Sequence, residues 1–163
     1  MEIKIIRNGY KMKDAFERLM KRSSHFSIEN MDLLFYPYLL IEYSIDYGKK
    51  LEKLNEHILV MADMYRGGYS FARSAGDFVM MNVEEETIMP HKMDRRQLIK
   101  DGPRTVYGEI MLKKKVIKTP DIEYIDDEYV YKPFYIVECK NEDDETFHIL
   151  FDAVTGDFSL LNA

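Results

Sequence analysis

Pro133-Phe134-Tyr135-Ile136-Val137-Glu138, a polar break at Asn141-Glu142-Asp143-Asp144-Glu145, then Phe147-His148-Ile149-Leu150-Phe151-Asp152-Ala153-Val154-Thr155-Gly156-Asp157 is the stretch that decides the fold. The first run is short, apolar, rich in aromatic and β-branched residues, and led by a proline that costs no ladder bond at a strand start or edge. The polar run is a turn. Phe147, Ile149 and Phe151 alternate with His148 and Leu150, the period of a half-buried strand. In Asp152-Ala153-Val154-Thr155-Gly156 the aspartate can accept backbone N–H bonds and the glycine can take positive φ. A last strand follows from Asp157 to Leu161. The C-terminal third therefore reads as a three-stranded antiparallel meander.

The same words occur earlier in the chain. Pro37-Tyr38-Leu39-Leu40-Ile41-Glu42 matches Pro133 to Glu138, and His57-Ile58-Leu59 matches His148-Ile149-Leu150. Gly76-Asp77-Phe78-Val79-Met80-Met81-Asn82 matches Gly156-Asp157-Phe158-Ser159-Leu160-Leu161-Asn162. Three matches in one order predict a duplication. A second alignment competes for the last of them: Asp63-x-x-x-Gly67-x-Tyr69-Ser70 also matches Asp152-x-x-x-Gly156-x-Phe158-Ser159. Residues 64–74 are then either an insertion in the first copy, the preferred reading, or a hairpin in their own right.

A helix is expected ahead of each meander. Met12, Ala15, Phe16, Leu19 and Met20 make one apolar stripe with charged residues opposite. The second helix draws on Val106, Tyr107, Ile110 and Met111, with Asp101 as N-cap, Pro103 in the first turn and Lys113, Lys114 and Lys115 at the negative end. Gly108 leaves 104–117 open to a strand reading, and residues 89–100 can form a short helix of their own. The fold class is thus α+β: two tandem helix plus antiparallel β-meander units, 1–88 and 89–163, each sheet sheltering under its own helix. The two can share one sheet and pack as a single compact domain.

Tyr135-Ile136-Val137-Glu138, the polar turn and Ile149-Leu150-Phe151-Asp152-Ala153-Val154-Thr155-Gly156-Asp157 resemble the end of PepSY-type, broadly cystatin-like domains. The likeness covers about 30 residues here and, more loosely, 36–82, where a clean Asp-Ala-x-Thr-Gly is missing. It implies a non-catalytic module of exported or membrane proteins, some linked to peptidase inhibition.

The chain's 163 residues include one cysteine, Cys139, which excludes an intramolecular disulfide scaffold. The charged N-terminus and the absence of any apolar run near membrane-span length point to a soluble cytoplasmic protein. Net charge is −6, distributed in alternating blocks: basic over 1–25 and 92–118, acidic over 26–91 and 119–163.

No phosphate-binding, dinucleotide-binding or nucleophile-elbow motif is present, and neither a metal nor a cofactor is expected. The leading function is a non-catalytic binding or regulatory module for a protein or peptide partner, with a homodimer also open. Its candidate loop is Tyr65, Arg66, Tyr69 and Arg73, residue types favoured at binding hot spots beside a Gly67-Gly68 backbone. The alternative is a small-molecule binder or enzyme with a cleft between the units, built from His57, His148, Glu42 and Glu138. A third reading places an anion or nucleic acid on the basic stretch 92–118. Against each stands a plainer account: His148 on a solvent face, Cys139 idle, 142–145 a solvated hairpin tip.

Overall fold

The structure is a computed structural model that describes residues 1–22, 25–47, 56–72, 77–114 and 120–161. It is α+β. In chain order the elements are β1 (Glu2–Ile6), α1 (Met12–Arg22), β2 (Phe26–Asp46), β3 (Glu56–Asp63), β4 (Tyr69–Ala72), β5 (Phe78–Asn82), α2 (Arg95–Lys114), β6 (Asp121–Asn141), β7 (Thr146–Asp152) and β8 (Phe158–Leu160). The strands join in one sheet of order β4-β3-β2-β6-β1-β5, with β7 on β6 and β8 on β7. β1 pairs with β6 in parallel, and the β1–β5, β2–β3, β3–β4, β6–β7 and β7–β8 pairs are antiparallel.

The chain divides into two compact units, and neither is continuous. One comprises Met1–Tyr36, Asp77–Met89 and Tyr131–Ala163; the other comprises Pro37–Gly76 and Pro90–Val130. This corrects the expected division into 1–88 and 89–163. The cause lies in β2 and β6, each 21 residues long. Each strand is too long for one meander, so the chain changes unit part-way along it, immediately before Pro37 in β2 and after Val130 in β6.

In the Pro37 unit, β2 pairs with β3 from Tyr38↔Asp63 to Ile45↔Glu56, and β3 pairs with β4 from Leu59↔Ala72 to Ala62↔Tyr69. Strand alternation sends Leu39, Ile41, Tyr43 and Ile45 to one face. They are buried there with Val60, Ala62 and Met64, beneath Leu98, Val106 and Ile110 of α2. The helix begins at Arg95, not near 101–103, because Asp94 caps it: its carboxylate accepts the Arg96 N–H and its carbonyl the Leu98 N–H. Asp101 and Pro103 therefore lie inside a single helix that absorbs the expected short one, and the strand reading fails through Lys114.

Pro103 cannot donate to the Ile99 carbonyl four residues back. The Tyr43 hydroxyl donates to that oxygen instead, at 2.7 Å, and Tyr69 donates to the neighbouring Leu98 carbonyl, also at 2.7 Å. Gly102 makes the room: a Cβ there would fall 2.0 Å from the Tyr43 hydroxyl oxygen.

In the Met1 unit, β5 pairs with β1 from Glu2↔Asn82 to Ile6↔Phe78. The match of 76–82 to 156–162 is thereby overturned, since β8 pairs with β7 and β5 does not pair with β3. Tyr135, Val137 and Cys139 of β6 pack with Ile149 and Phe151 of β7 and with Ala15 and Leu19 of α1. Ile3, Ile5, Phe35 and Tyr131 form a second buried cluster. Of the α1 stripe, only Ala15 and Leu19 are buried; Met12, Phe16 and Met20 are 40–45% exposed, because the row they make is turned away from the buried edge.

Each meander therefore lies under the helix that the sequence order assigns to the other one. α2 covers β2 and β3; α1 covers β6 and β7. Bonds to the two hairpin turns match atom for atom. Asp63 Oδ1 accepts the N–H groups of Tyr65 and Arg66, both at 2.8 Å; Asp152 Oδ1 accepts those of Val154 and Thr155, at 2.8 and 3.0 Å. Gly67 donates to the Asp63 carbonyl and Gly156 to that of Asp152, while Met64 donates to Pro37 and Ala153 to Pro133. The segment leading into the covering helix also reaches each turn: Met93 donates to the Met64 carbonyl, and Tyr10 to that of Ala153. Residues 64–72 thus form a hairpin whose turn is bonded as that of 153–160 is.

Candidate functional site

The residues of β2 that alternate with its buried row emerge on the opposite side of the sheet in the Pro37 unit. There Ser44 and Asp46 meet His57 of β3 and Asp121, Glu123 and Ile125 of β6 around an open concavity of about 400 Å³. Ile122, between Asp121 and Glu123, turns to the α2 side and packs on the core. A smaller hollow of about 70 Å³ is lined by Leu40, Glu42, Leu59, Asp126, Asp127 and Glu128. Three strands supply this surface, and among the described residues that line the two hollows the ionisable groups are the carboxylates of Glu42, Asp46, Asp121, Glu123, Asp126, Asp127 and Glu128 and one base, His57.

His57 is held in place. Its Nδ1 lies 2.8 Å from Glu42 Oε1, and both side chains reach solvent, at 56% and 34% exposure. Ser44 pairs with His57 across the ladder. Three of these groups offer proton acceptors or a carboxylate–imidazole pair, yet the setting is wet and open.

Asp127 behaves differently from its acidic neighbours. Its side chain is only 4% exposed, and burial acts to raise its pKa. Arg95 outweighs that, donating Nε to Oδ2 at 2.7 Å and Nη2 to Oδ1 at 2.5 Å. Tyr124 donates its hydroxyl to the same carboxylate. The carboxyl is consequently held below the usual range, and the hydrogen bond to it raises the Tyr124 hydroxyl. This fork ties the start of α2 to β6, a structural use of charge.

Of the candidate loop Tyr65, Arg66, Tyr69 and Arg73, the three described residues sit in different settings. The Tyr65 ring carries the Lys92 ammonium 4.2 Å from its centroid, and Lys92 donates to its hydroxyl at 3.1 Å. Tyr69 is half-buried against the α2 core, with its hydroxyl raised by that burial. Arg66 is exposed; Arg73 lies outside the described residues.

His57 and Glu42 belong to one unit, His148 and Glu138 to the other. His148 and Glu138 are opposed in register on β7 and β6, with His148 exposed. Cys139 is fully buried, and burial, then Glu138, raises its thiol. In the basic stretch, Lys92 is engaged with Tyr65 and Arg95 with Asp127; Arg96, Lys100 and Arg104 lie exposed along α2, and Lys115 and Lys118 fall outside the described residues.

A third cavity, about 200 Å³, is mainly apolar and lined by Ile45, Tyr47, Glu56, Ile58, Phe71, Ala72, Glu109 and Ile110. Among the described residues, no cluster of histidine, cysteine and carboxylate groups could hold a metal ion. None of the described helices is long and apolar enough to cross a membrane.

Sequence reading missed Asp121, Glu123, Asp126, Ser44 and Asp46. Glu42, Ser44 and Asp46, and Asp121 and Glu123, are polar residues at every second position beside an apolar row; no such spacing marks Asp126. No protein family, curated protein or solved structure matches the chain.

Proposed function

We propose that this protein is a non-catalytic binding or regulatory module that engages a protein or peptide partner through the open acidic sheet face of the Pro37 unit. The observation that carries the reading is the run of exposed carboxylates around the 400 Å³ concavity, with only His57 among them as a base. A surface of one sign, open to solvent, attracts a partner of opposite sign and speeds its encounter. The partner's contact segment is accordingly rich in lysine and arginine. Fluorescence anisotropy with a labelled Lys/Arg-rich peptide tests it: binding to the intact chain, weakened by salt and by Asp121→Lys with Glu123→Lys, is expected. Equal affinity for an acidic peptide of the same length would overturn the reading.

A second reading has one observation in its favour. The 2.8 Å His57–Glu42 contact beside Ser44 is the carboxylate–imidazole pairing that a small-molecule binder or enzyme would need. It predicts that a ligand found by thermal-shift screening shifts the His57 imidazole resonances and loses its effect in His57→Gln.

We further propose that the chain arose by tandem duplication of a β–α–β–β–β segment, β1 to β4 and β5 to β8. In support stand the two 21-residue strands, the two aspartate-clamped turns, and the matching docking of Met93 and Tyr10. The PepSY-type likeness belongs with this proposal, since the shared feature is that turn. A reducing cytoplasmic setting suits the single buried thiol.

A further inference from the structure

The Pro37 unit carries opposite charge on its two sides. α2 buries Leu98, Val106 and Ile110 and turns Arg96, Lys100 and Arg104 outwards, all three exposed. None of these side chains makes an ion pair or side-chain hydrogen bond among the described residues. Like charges at i, i+4 and i+8 are mutually unfavourable on an isolated helix. Across the sheet, Asp121 and Glu123 are exposed and equally without such partners among the described residues. The spacings agree as well. Four helical residues advance about 6 Å, and two strand residues about 6.7 Å. A row of cations thus has nearly the pitch of the row of carboxylates. Because the sheet lies between the two rows, one Pro37 unit cannot bring its own together.

We propose that the protein associates head to tail: the basic row of α2 in one copy docks on the acidic sheet face of the next. This rests on the reading that the sheet face is the binding surface, and it names a second copy of this chain as the basic partner. The contact is heterologous, so it closes into a ring or continues as an open chain. It is held mainly by charge, so it weakens steeply as the Debye length falls from about 30 Å at 0.01 M salt to about 8 Å at 0.15 M.

Sedimentation velocity of the intact chain tests this. At about 10 mM salt the sedimentation coefficient is expected to rise with concentration up to about 100 µM, with apparent affinity falling about tenfold or more by 150 mM. The helix set Arg96→Glu, Lys100→Glu and Arg104→Glu is expected to be monomeric, as is the strand set Asp121→Lys and Glu123→Lys. Mixed one to one, the two sets are expected to associate again, since each supplies the sign that the other lacks. If the helix set misfolds by circular dichroism, Arg96→Gln, Lys100→Gln and Arg104→Gln replaces it, and if the strand set does, Asp121→Asn and Glu123→Gln replaces it, with loss of association still required. A wild-type chain that stays monomeric at low salt overturns the proposal. So does a reversed set that associates as wild type does, or a mixture that remains monomeric. Should the Lys/Arg-rich peptide still bind a wild-type chain that does not self-associate, only this inference falls; should neither occur, the binding reading falls with it.

Discussion

Gly102 and Pro103 would each count against a helix if judged by propensity alone. Together they make a socket. The proline frees the Ile99 carbonyl, the glycine admits the Tyr43 ring, and the Tyr43 hydroxyl fills the vacancy at 2.7 Å. Burial pushes that hydroxyl's pKa well up, which keeps it a donor. Tyr43→Phe leaves a carbonyl without its donor and is expected to cost about 1–3 kcal/mol; Gly102→Ala forces a methyl into the ring and is expected to cost about 1–3 kcal/mol or more. Urea denaturation of the two variants measures both, and a neutral Gly102→Ala would refute the socket.

Asp127 makes stability depend on acid. Its carboxyl titrates lower in the folded chain than in the unfolded one, so its contribution is complete above the unfolded value of about 3.9 and is lost as pH falls through the folded value. The urea midpoint is expected to drop as pH falls below about 4, and Asp127→Asn to flatten that drop. Cys139, buried with its thiol raised, is expected to react with a thiol reagent only on unfolding. Rapid labelling of the native chain would show the site to be open.

Among the elements, the hairpin turns carry the clearest design. Asp63 and Asp152 each satisfy two backbone donors, and Gly67 and Gly156 take φ of 83° and 81°. Asp63→Ala and Asp152→Ala are each expected to cost about 1 kcal/mol or more, because two N–H groups lose a charged acceptor at once. Asp152 also holds Lys132 Nζ at 2.6 Å, so the loss at Asp152, read from thermal melts, is expected to be at least that at Asp63; no loss at either site would refute the clamp. α1 shows why a helical stripe does not identify a buried face. Its apolar arc spans five residues, while the sheet below accommodates Ala15 and Leu19.

For the whole molecule, the decisive property is that each compact unit draws on chain segments far apart in sequence. A fragment of residues 1–88 lacks α2 for one core and β6 to β8 for the other. It is expected to remain unfolded by circular dichroism and amide proton dispersion, whereas a folded fragment would argue for independent tandem domains. Co-expression with 89–163 is expected to restore structure, since every core residue is then present.

Residue pattern alone determined the α+β class, the α1 helix, the C-terminal meander and the turn at Asp152, because periodicity and turn chemistry act over a few residues. The Asp63 match is legible in the residues too, but the shared Gly-Asp-Phe string competes with it, and only the bonds to the folded turns distinguish the two. Which helix covers which meander, where β2 and β6 change unit, and that alternate acidic positions on two strands meet around His57 were decided only by tertiary structure. Those outcomes depend on pairing between residues dozens of positions apart. No local preference records which distant strand or helix will bury a given apolar row.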